Sequence, residues 1–363
     1  MIRTFRWLVL LSCALALVLV VLGAYVRLSH AGLSCPDWPG CYGRMSVPTA
    51  SEQVTAANRA YPQRPLQAHK AWKEMAHRYV AGALGLLILL LALLSRRDES
   101  QQLPRRLPLI LLALVVFQAL LGMWTVTLLL KPLVVTAHLL GGMATLALLF
   151  WLWLEIPPNP PLQKGGDGGF SHSLRRDRDV YFSMLREHEG VAPLHDASRP
   201  SGIRWLAGVA LALLTAQIFL GGWTSSNYAA LACTGFPGCH GQWWPAMDFR
   251  NAFTLWRGLG VNYEYGVLEH PARTAIHMTH RLGAVAVSLY FTFLGLLLLS
   301  RRWARSWRFV GAGLLGLLAL QMTLGLSVVL LHLPLPLAAA HNGGAALLLL
   351  ATVALNFLAW KRA

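Results

Sequence analysis

Glu74-Met75-Ala76-His77-Arg78 opens an apolar run that continues to Leu94, so ionisable side chains stand at the edge of a potential membrane span. A near-copy, His277-Met278-Thr279-His280-Arg281, opens a second such run. Each copy has another histidine 61 residues further on (138 − 77 and 341 − 280), at His138 and His341. Ionisable groups inside a membrane are costly and are usually functional. The four histidines therefore indicate a functional site.

The composition places the chain among membrane proteins. It is 56% hydrophobic and 13% charged, with a mean hydropathy of +0.50, whereas soluble domains carry about 25% charged residues. Eight apolar stretches reach the roughly 20 residues that a spanning helix needs. The first is too long for the apolar core of a signal peptide and is kept as a helix. The predicted spans are Trp7–Val26, Met75–Ser95, Leu107–Leu130, Pro132–Leu154, Trp205–Trp223, Thr274–Ser300, Phe309–Leu331 and Leu335–Trp360.

The net charge of +16 is distributed as in a membrane protein, and we expect no nucleic-acid partner. Basic residues concentrate before the first span, in short connections between spans, and at the end of the chain. Short basic connections lie on the cytoplasmic side, so both termini are predicted to be cytoplasmic and the long loops 27–73 and 224–273 external. The basic residues are Arg3, Arg6, Arg96, Arg97, Arg105, Arg106, Arg301, Arg302, Arg305, Arg308, Lys361 and Arg362.

Four of the five cysteines form two matching pairs in the predicted external loops. They are Cys35-Pro-Asp-Trp-Pro-Gly-Cys41 and Cys233-Thr-Gly-Phe-Pro-Gly-Cys239. Disulfides persist outside the cytoplasm, and zinc sites more often show two to four residues between their cysteines. The pattern favours two disulfides over free or metal-binding thiols. Cys13, within the first span, is expected to be a buried apolar residue.

The chain repeats itself. His77 and His280 are 203 residues apart, as are His138 and His341, and the cysteine pairs are 198 apart. The repeat predicts two pseudo-symmetric four-helix bundles, 1–154 and 205–363, in an all-α polytopic membrane protein. An even number of helices per unit gives a parallel repeat, which argues slightly against a transporter with inverted repeats. The connection 155–204 is rich in Pro, Gly and charge and is predicted to be a disordered cytoplasmic linker.

The four histidines are interpreted as axial ligands of two haems, because facing helices of a bundle commonly build cofactor sites. A flat macrocycle also needs room. Small residues at the third and fourth positions after a histidine share its helical face and could supply that room, or could simply allow close helix packing. These are Ala81, Gly141, Gly142, Gly283, Ala284, Gly344 and Ala345.

Three neighbours of the histidines each allow two interpretations. Arg78 and Arg281 could pair with haem propionates, since arginine suits carboxylates, or could reach lipid head groups. Glu74 could stabilise charge or move protons beside a haem, or could be a helix-start acid favoured by the macrodipole. Its counterpart three residues before His280 is His277, so the two halves differ at this position. This difference suggests chemistry in the first half and electron storage or transfer in the second.

With these residues assembled, the chain resembles the haem A synthase family, which includes a mitochondrial counterpart. The resemblance rests on Glu74-x-x-His77-Arg78, His138, His280-Arg281, His341 and the two cysteine pairs, and it covers both halves but not the linker. It implies oxidation of a ring methyl of haem O to a formyl group. It further implies haem b on His280 and His341, haem O facing His77 and His138, and Glu74 as the catalytic carboxylate.

The resemblance also implies partners and a location: haem O as substrate, membrane lipid, an electron acceptor, contact of the Cys35 loop with haem O synthase, and the cytoplasmic membrane of a bacterium. Two other functions are compatible with parts of the pattern. A di-haem electron-transfer cytochrome would not need the Glu74/His277 difference. A haem transporter would need a pathway to both membrane faces, whereas the marked residues cluster near one.

Overall fold

The computed structural model describes residues 2–98, 103–156 and 202–361, and the regular secondary structure of these residues is entirely α-helical. Most of the predicted linker, residues 157–201, lies outside the described residues. Ten helices are defined within these ranges. They are α1 (Ile2–Leu28), α2 (Ser51–Ala60), α3 (Ala68–Arg97), α4 (Arg106–Thr127), α5 (Pro132–Glu155), α6 (Gly202–Ser226), α7 (Phe249–Ala252), α8 (His270–Leu299), α9 (Arg305–Leu330) and α10 (Leu335–Lys361).

Eight of these helices, all but α2 and α7, are long and apolar enough to cross a membrane. The predicted all-α polytopic fold with eight spans is therefore confirmed. Several helices begin earlier than hydropathy indicated, and two of these carry site histidines: α3 begins at Ala68 instead of Met75, and α8 at His270 instead of Thr274. Their polar first turns carry no membrane signal, and packing stabilises them. Ala71 of α3, for example, is fully buried against the disulfide loop.

The spanning helices form two rings of four. In the first ring α1 and α4 each contact both α3 and α5, so α3 and α5 occupy opposite corners. In the second ring α6 and α9 each contact both α8 and α10. The rings meet where α1 and α5 pack against α10, and where α5 packs against α6. The exact division at residues 154 and 205, and the symmetry of the two units, stay predictions.

The solid core and the open space lie at opposite ends of the helices. The largest apolar cluster includes Phe5 near the start of α1, Leu91 near the end of α3, and Leu152 near the end of α5. That end lies away from the long connections 29–67 and 227–269, which we call the first and second loops. Tight packing there leaves the loop end of the helices for a cavity.

Each long loop is closed on itself by a disulfide. Cys35 bonds to Cys41 and Cys233 to Cys239, with Cα atoms 4.7 Å apart in both pairs. All four cysteines are buried, and each loop packs on the first turns of the helix that follows it. The two predicted disulfides are confirmed, and Cys13 is a buried free thiol as expected.

Candidate functional site

A single cavity of about 1810 Å³ occupies the loop end of both rings. Pockets for one small molecule usually measure about 300–1,000 Å³, so this cavity has room for more than one ligand of moderate size. Its lining is predominantly apolar, and all four predicted histidine ligands contribute to it: His77, His138, His280 and His341. Trp38 and Pro39 of the first loop, and Phe236 and Pro237 of the second, also line it. The disulfide loops therefore shape the site as well as closing themselves.

The histidines of each ring come from opposite corners. His77 lies on α3 and His138 on α5, while His280 lies on α8 and His341 on α10. Because α3 and α8 begin early, His77 and His280 lie more than two turns inside their helices, rather than at the helix starts that hydropathy suggested. His138 and His341 are the seventh residues of α5 and α10, about two turns in, as expected.

A glycine on the neighbouring helix makes room for every histidine ring. A methyl group built on that glycine would lie between 2.8 and 3.5 Å from the Cε1 atom of the imidazole. Three of the four separations are too short for an ordinary side-chain contact, so the imidazoles occupy the space that any residue larger than glycine would fill. The contacts are Gly23 to His77 at 3.1 Å, Gly122 to His138 at 3.5 Å, Gly221 to His280 at 3.3 Å and Gly325 to His341 at 2.8 Å.

The small residues that follow the histidines divide into two sets. Those at the fourth position, Ala81, Gly142, Ala284 and Ala345, line the cavity, as the sequence predicted. Those at the third position do not supply room for a macrocycle. Instead, Gly141, Gly283 and Gly344 make room for the amides of Gln118, Gln217 and Gln321 on neighbouring helices. This part of the prediction is wrong, because the third position faces the adjacent helix and not the cavity.

Two of these glutamines contact histidines. Gln217 Nε2 lies 3.1 Å from Nδ1 of His280 and donates to the backbone oxygen of His280 at 2.9 Å. Gln321 Nε2 lies 3.4 Å from Nε2 of His341. An amide at this distance holds an imidazole in one orientation, and a metal-binding imidazole would donate its second N–H to the amide oxygen. Gln217 was not predicted from the sequence, although a lone amide in an apolar span is a recognisable signal.

The residues of the cavity fit a haem. His77, His138 and His341 each bury Nδ1 without a hydrogen-bond partner in the described structure, and such atoms are rare unless a ligand satisfies the ring. No cluster of three or more His, Cys, Asp or Glu side chains forms a bare metal site in the described ranges. Two imidazoles per ring instead suit an iron whose other ligands come from a macrocycle.

Glu74 and Arg78 hold the first disulfide loop. Glu74 is 5% exposed, and its Oε2 accepts a hydrogen bond from the backbone N–H of Cys35 at 2.9 Å. Its Oε1 pairs with Arg78 Nη2. Arg78 Nη1 donates to three loop carbonyls, those of Asp37, Pro39 and Gly40. Glu74 is the seventh residue of α3, beyond the first turn where a macrodipole benefit operates, so that alternative is excluded.

His277 and Arg281 make the matching contacts in the second ring. His277 is 4% exposed, and its Nδ1 accepts from the backbone N–H of Cys233 at 3.2 Å. Arg281 Nε lies 3.3 Å from His277 Nε2, and its terminal nitrogens donate to Cys233, Gly235 and Gly238. Glu74 and His277 therefore share a loop-anchoring role, and only Glu74 adds a carboxylate to the cavity lining.

These contacts bear on the two arginines that follow the histidines. A bidentate carboxylate needs two N–H groups along one edge of a guanidinium. Arg281 already directs both terminal nitrogens at the second loop and Nε at His277, and both terminal nitrogens of Arg78 are likewise engaged. Their assignment to propionates stays a prediction, in which they would have to release the loops or share donors with them.

The model of the COX15-CtaA family, described as cytochrome oxidase assembly protein, matches residues 6–353. The chain belongs to this family. The resemblance drawn from its histidines and cysteines is thereby confirmed.

Three bacterial proteins similar to this chain are each named heme A synthase. One from Shewanella oneidensis is 42% identical over 98% of this chain and 97% of its own length. One from Nitrosospira multiformis is 27% identical over 95% of this chain and 90% of its own. One from Caulobacter sp. strain K31 is 27% identical over 94% and 92%. The likeness thus extends over essentially the whole of the COX15-CtaA chain.

Proposed function

We propose that the protein is a haem A synthase, a membrane oxidoreductase that converts the ring methyl of haem O to a formyl group. The observation that carries the proposal is the cavity with four histidines, two from each ring, in a chain 42% identical to a protein named heme A synthase. A terminal oxidase is the destination of the product. The formyl oxygen needs a donor, and the electrons and protons removed from the methyl group need an acceptor, both from outside the residues of this cavity.

The two rings have different roles in this proposal. His280 and His341 hold a resident haem b, and His77 and His138 face the iron of the substrate. Haem b, when bound, supplies a one-electron redox centre. The support is that His280 has a polar neighbour that His77 lacks. Gln217 orients His280, whereas the equivalent first-ring position, 198 residues earlier, is the apolar Leu19. A fixed imidazole suits a resident group, and a less constrained one suits a ligand that exchanges.

Glu74 is the residue that distinguishes the substrate ring. Oxidation of the methyl carbon develops positive charge beside the macrocycle, and a carboxylate in a low-dielectric cavity stabilises that charge more than it could in water. Arg78 and the backbone N–H of Cys35 fix the position of the carboxylate. Glu74 thus joins the loop to the site. Arg78 is proposed to hold Glu74 in place, and Arg281 to hold the loop over the haem b site.

The protein is proposed to lie in the cytoplasmic membrane of a bacterium, with both termini and the 155–204 linker on the cytoplasmic side. The cavity and the disulfide loops then face outward. Haem O enters from the lipid, and the Cys35 loop is a candidate contact for haem O synthase because it covers the substrate ring.

The test is haem extraction after co-expression with a supply of haem O. The wild-type protein is expected to yield haem A and to retain haem b. Glu74→Gln keeps an oxygen that can accept from Cys35 but removes the charge, so haem b should stay while haem O or a hydroxylated intermediate accumulates.

Glu74→Ala, which removes both functions of the side chain, is the matched comparison and should additionally loosen the first loop. Normal haem A production by Glu74→Gln, at equal protein level, would reduce Glu74 to a loop anchor. If the wild-type protein binds haem but makes no haem A, the electron-transfer alternative replaces the synthase.

A further inference from the structure

The cavity holds more positive charge than its described residues can neutralise. Four arginines line it, Arg27, Arg78, Arg273 and Arg281, against a single described carboxylate, that of Glu74. That carboxylate is paired with Arg78. A guanidinium is costly to place in an apolar cavity unless hydrogen bonds and a counter-charge compensate it. Outside the lining, the carboxylate of Glu264 also acts on Arg27. An anionic ligand would compensate the charge that remains.

Two of the arginines have N–H groups without a hydrogen-bond partner among the described residues, which fits the binding of an anion. The Nε atoms of Arg27 and Arg273 are both buried without a hydrogen-bond partner in the described part of the chain. Arg27 is anchored at one edge, where Nη2 donates to the backbone oxygens of Ser225 at 2.8 Å and Ser226 at 3.4 Å, and its guanidinium carbon lies 4.1 Å from the ring centroid of Tyr228. The side chain of Arg273 makes no hydrogen bond or ion pair within the described ranges.

Their positions relate them to the histidine sites. Arg27 lies one turn beyond Gly23 on the same face of α1, and Gly23 contacts the ring of His77. Arg273 lies two turns before His280 on the same face of α8. Both arginines thus stand on the loop side of the imidazoles. Nearby His30 does not replace them as a cation, because burial and the charges of Arg27 and Lys70 lower the pKa of its imidazole.

We propose that Arg27 and Arg273 bind the carboxylates of the cavity's two macrocyclic ligands, Arg27 on the His77 side and Arg273 on the His280 side, with the carboxylate edges directed toward the loops. The proposal rests on the proposed function, and it replaces Arg78 and Arg281 in the role of propionate partners. Arginine matches a carboxylate with two parallel N–H groups, and Arg273 keeps an edge available for that geometry. Arg27 keeps its Nε donor, while its Nη2 would share its hydrogens between Ser225, Ser226 and a carboxylate. The apolar ring of the ligand then lies deeper, between the histidines.

The experiment compares two ligands that differ only in their carboxylates. Purified protein in neutral detergent is titrated with iron protoporphyrin IX and with its dimethyl ester, and binding is followed by the absorption of the histidine-ligated iron. The wild-type protein should bind the diacid at least about 10-fold more tightly than the diester, the range for one charge-assisted hydrogen bond. Arg273→Gln and Arg27→Gln should each reduce or abolish this ratio by weakening diacid binding alone.

Diester binding in the same variants reports folding and histidine ligation, so a misfolded variant is recognised by loss of both ligands. Arg250→Gln, at an exposed position of α7 outside the cavity lining, is the matched control and should keep the wild-type ratio. An unchanged ratio in Arg273→Gln and Arg27→Gln, or a ratio lost only in Arg281→Gln, would overturn the assignment. So would competition between the diacid and added phosphatidylglycerol, which would identify a lipid phosphate as the anion. Failure of the wild-type protein to ligate either porphyrin would instead reject the proposed function itself.

Discussion

At the scale of single residues, the site depends on a glycine, and hence on the absence of a side chain, next to each histidine. The glycine opposite each ring allows an imidazole to lie against helix backbone, which fixes where the two nitrogens can point. The clearance is smallest at Gly325, where an added methyl group would lie 2.8 Å from Cε1 of His341, and largest at Gly122, where it would lie 3.5 Å from His138. The two positions are 203 residues apart and equivalent in the repeat, so they form a natural pair for comparison.

Gly325→Ala should therefore displace the imidazole of His341, while Gly122→Ala should be tolerated. Overpacking of this kind typically costs about 1–3 kcal/mol, which would weaken haem binding at the second ring by roughly 5- to 150-fold. The measurement is the haem b content per protein and the position of its absorption bands after purification. Equal haem b content in the two variants would show that haem binding does not depend on the position of the His341 imidazole.

The histidines and Glu74 could be identified from the sequence because ionisable residues in apolar spans are costly, and here they recur in register in both halves. Gln217 and the unpaired Nε donors of Arg27 and Arg273 could not be identified in this way. Their meaning depends on which helices are neighbours, and hydrophobic periodicity does not specify that when the surrounding lipid is as apolar as the core. The same limit accounts for the misassigned glycines Gly141, Gly283 and Gly344, whose faces are set by packing.

At the scale of elements, the eight spans were predictable because twenty apolar residues in a row leave little alternative to a membrane helix. The starts of α3 and α8 were not, since their first turns are polar and are held by contacts with the loops. Each loop is in turn held by its disulfide and by one arginine, Arg78 or Arg281, that donates hydrogen bonds to several backbone carbonyls. In each ring of helices, these contacts thus hold together the loop, the start of the helix that follows it and the histidine on that helix.

Closing so short a loop should contribute about 2 kcal/mol on the chain-entropy model, so the disulfides matter more for the shape of the cavity roof than for stability. Of the five cysteines, only Cys13 is a free thiol. Protein denatured without reductant should therefore take up one maleimide per chain, and after reduction five. Mass spectrometry of the intact chain distinguishes the two results. Five maleimides without reduction, in protein from fresh membranes, would contradict both disulfides.

At the scale of the whole molecule, the two ends of the helices differ in their basic connections, their packing and their disulfides, and these differences bear on orientation. The solid end carries the basic connections, and there Arg6 lies 4.6 Å from the ring of Trp153 and Arg204 lies 5.5 Å from the ring of Trp360. Tryptophan and arginine at helix ends are typical of a membrane interface. The opposite end carries the cavity, the disulfides and the four arginines that line the site.

This asymmetry predicts that the cavity end faces outward. Each basic residue near the cytoplasmic leaflet contributes about 1 kcal/mol, and the short connections at Arg96–Arg106 and Arg301–Arg308 together hold eight arginines: Arg96, Arg97, Arg105, Arg106, Arg301, Arg302, Arg305 and Arg308. A reporter enzyme that is active only outside the cytoplasm should be active when fused at Ala50 and inactive at Gly168. A cytoplasmic fluorescent reporter should give the reverse, and a fusion at Arg302 serves as a second cytoplasmic control. A cytoplasmic signal at Ala50 would invert the molecule and place the disulfides in a reducing compartment, where bonds of this kind do not persist.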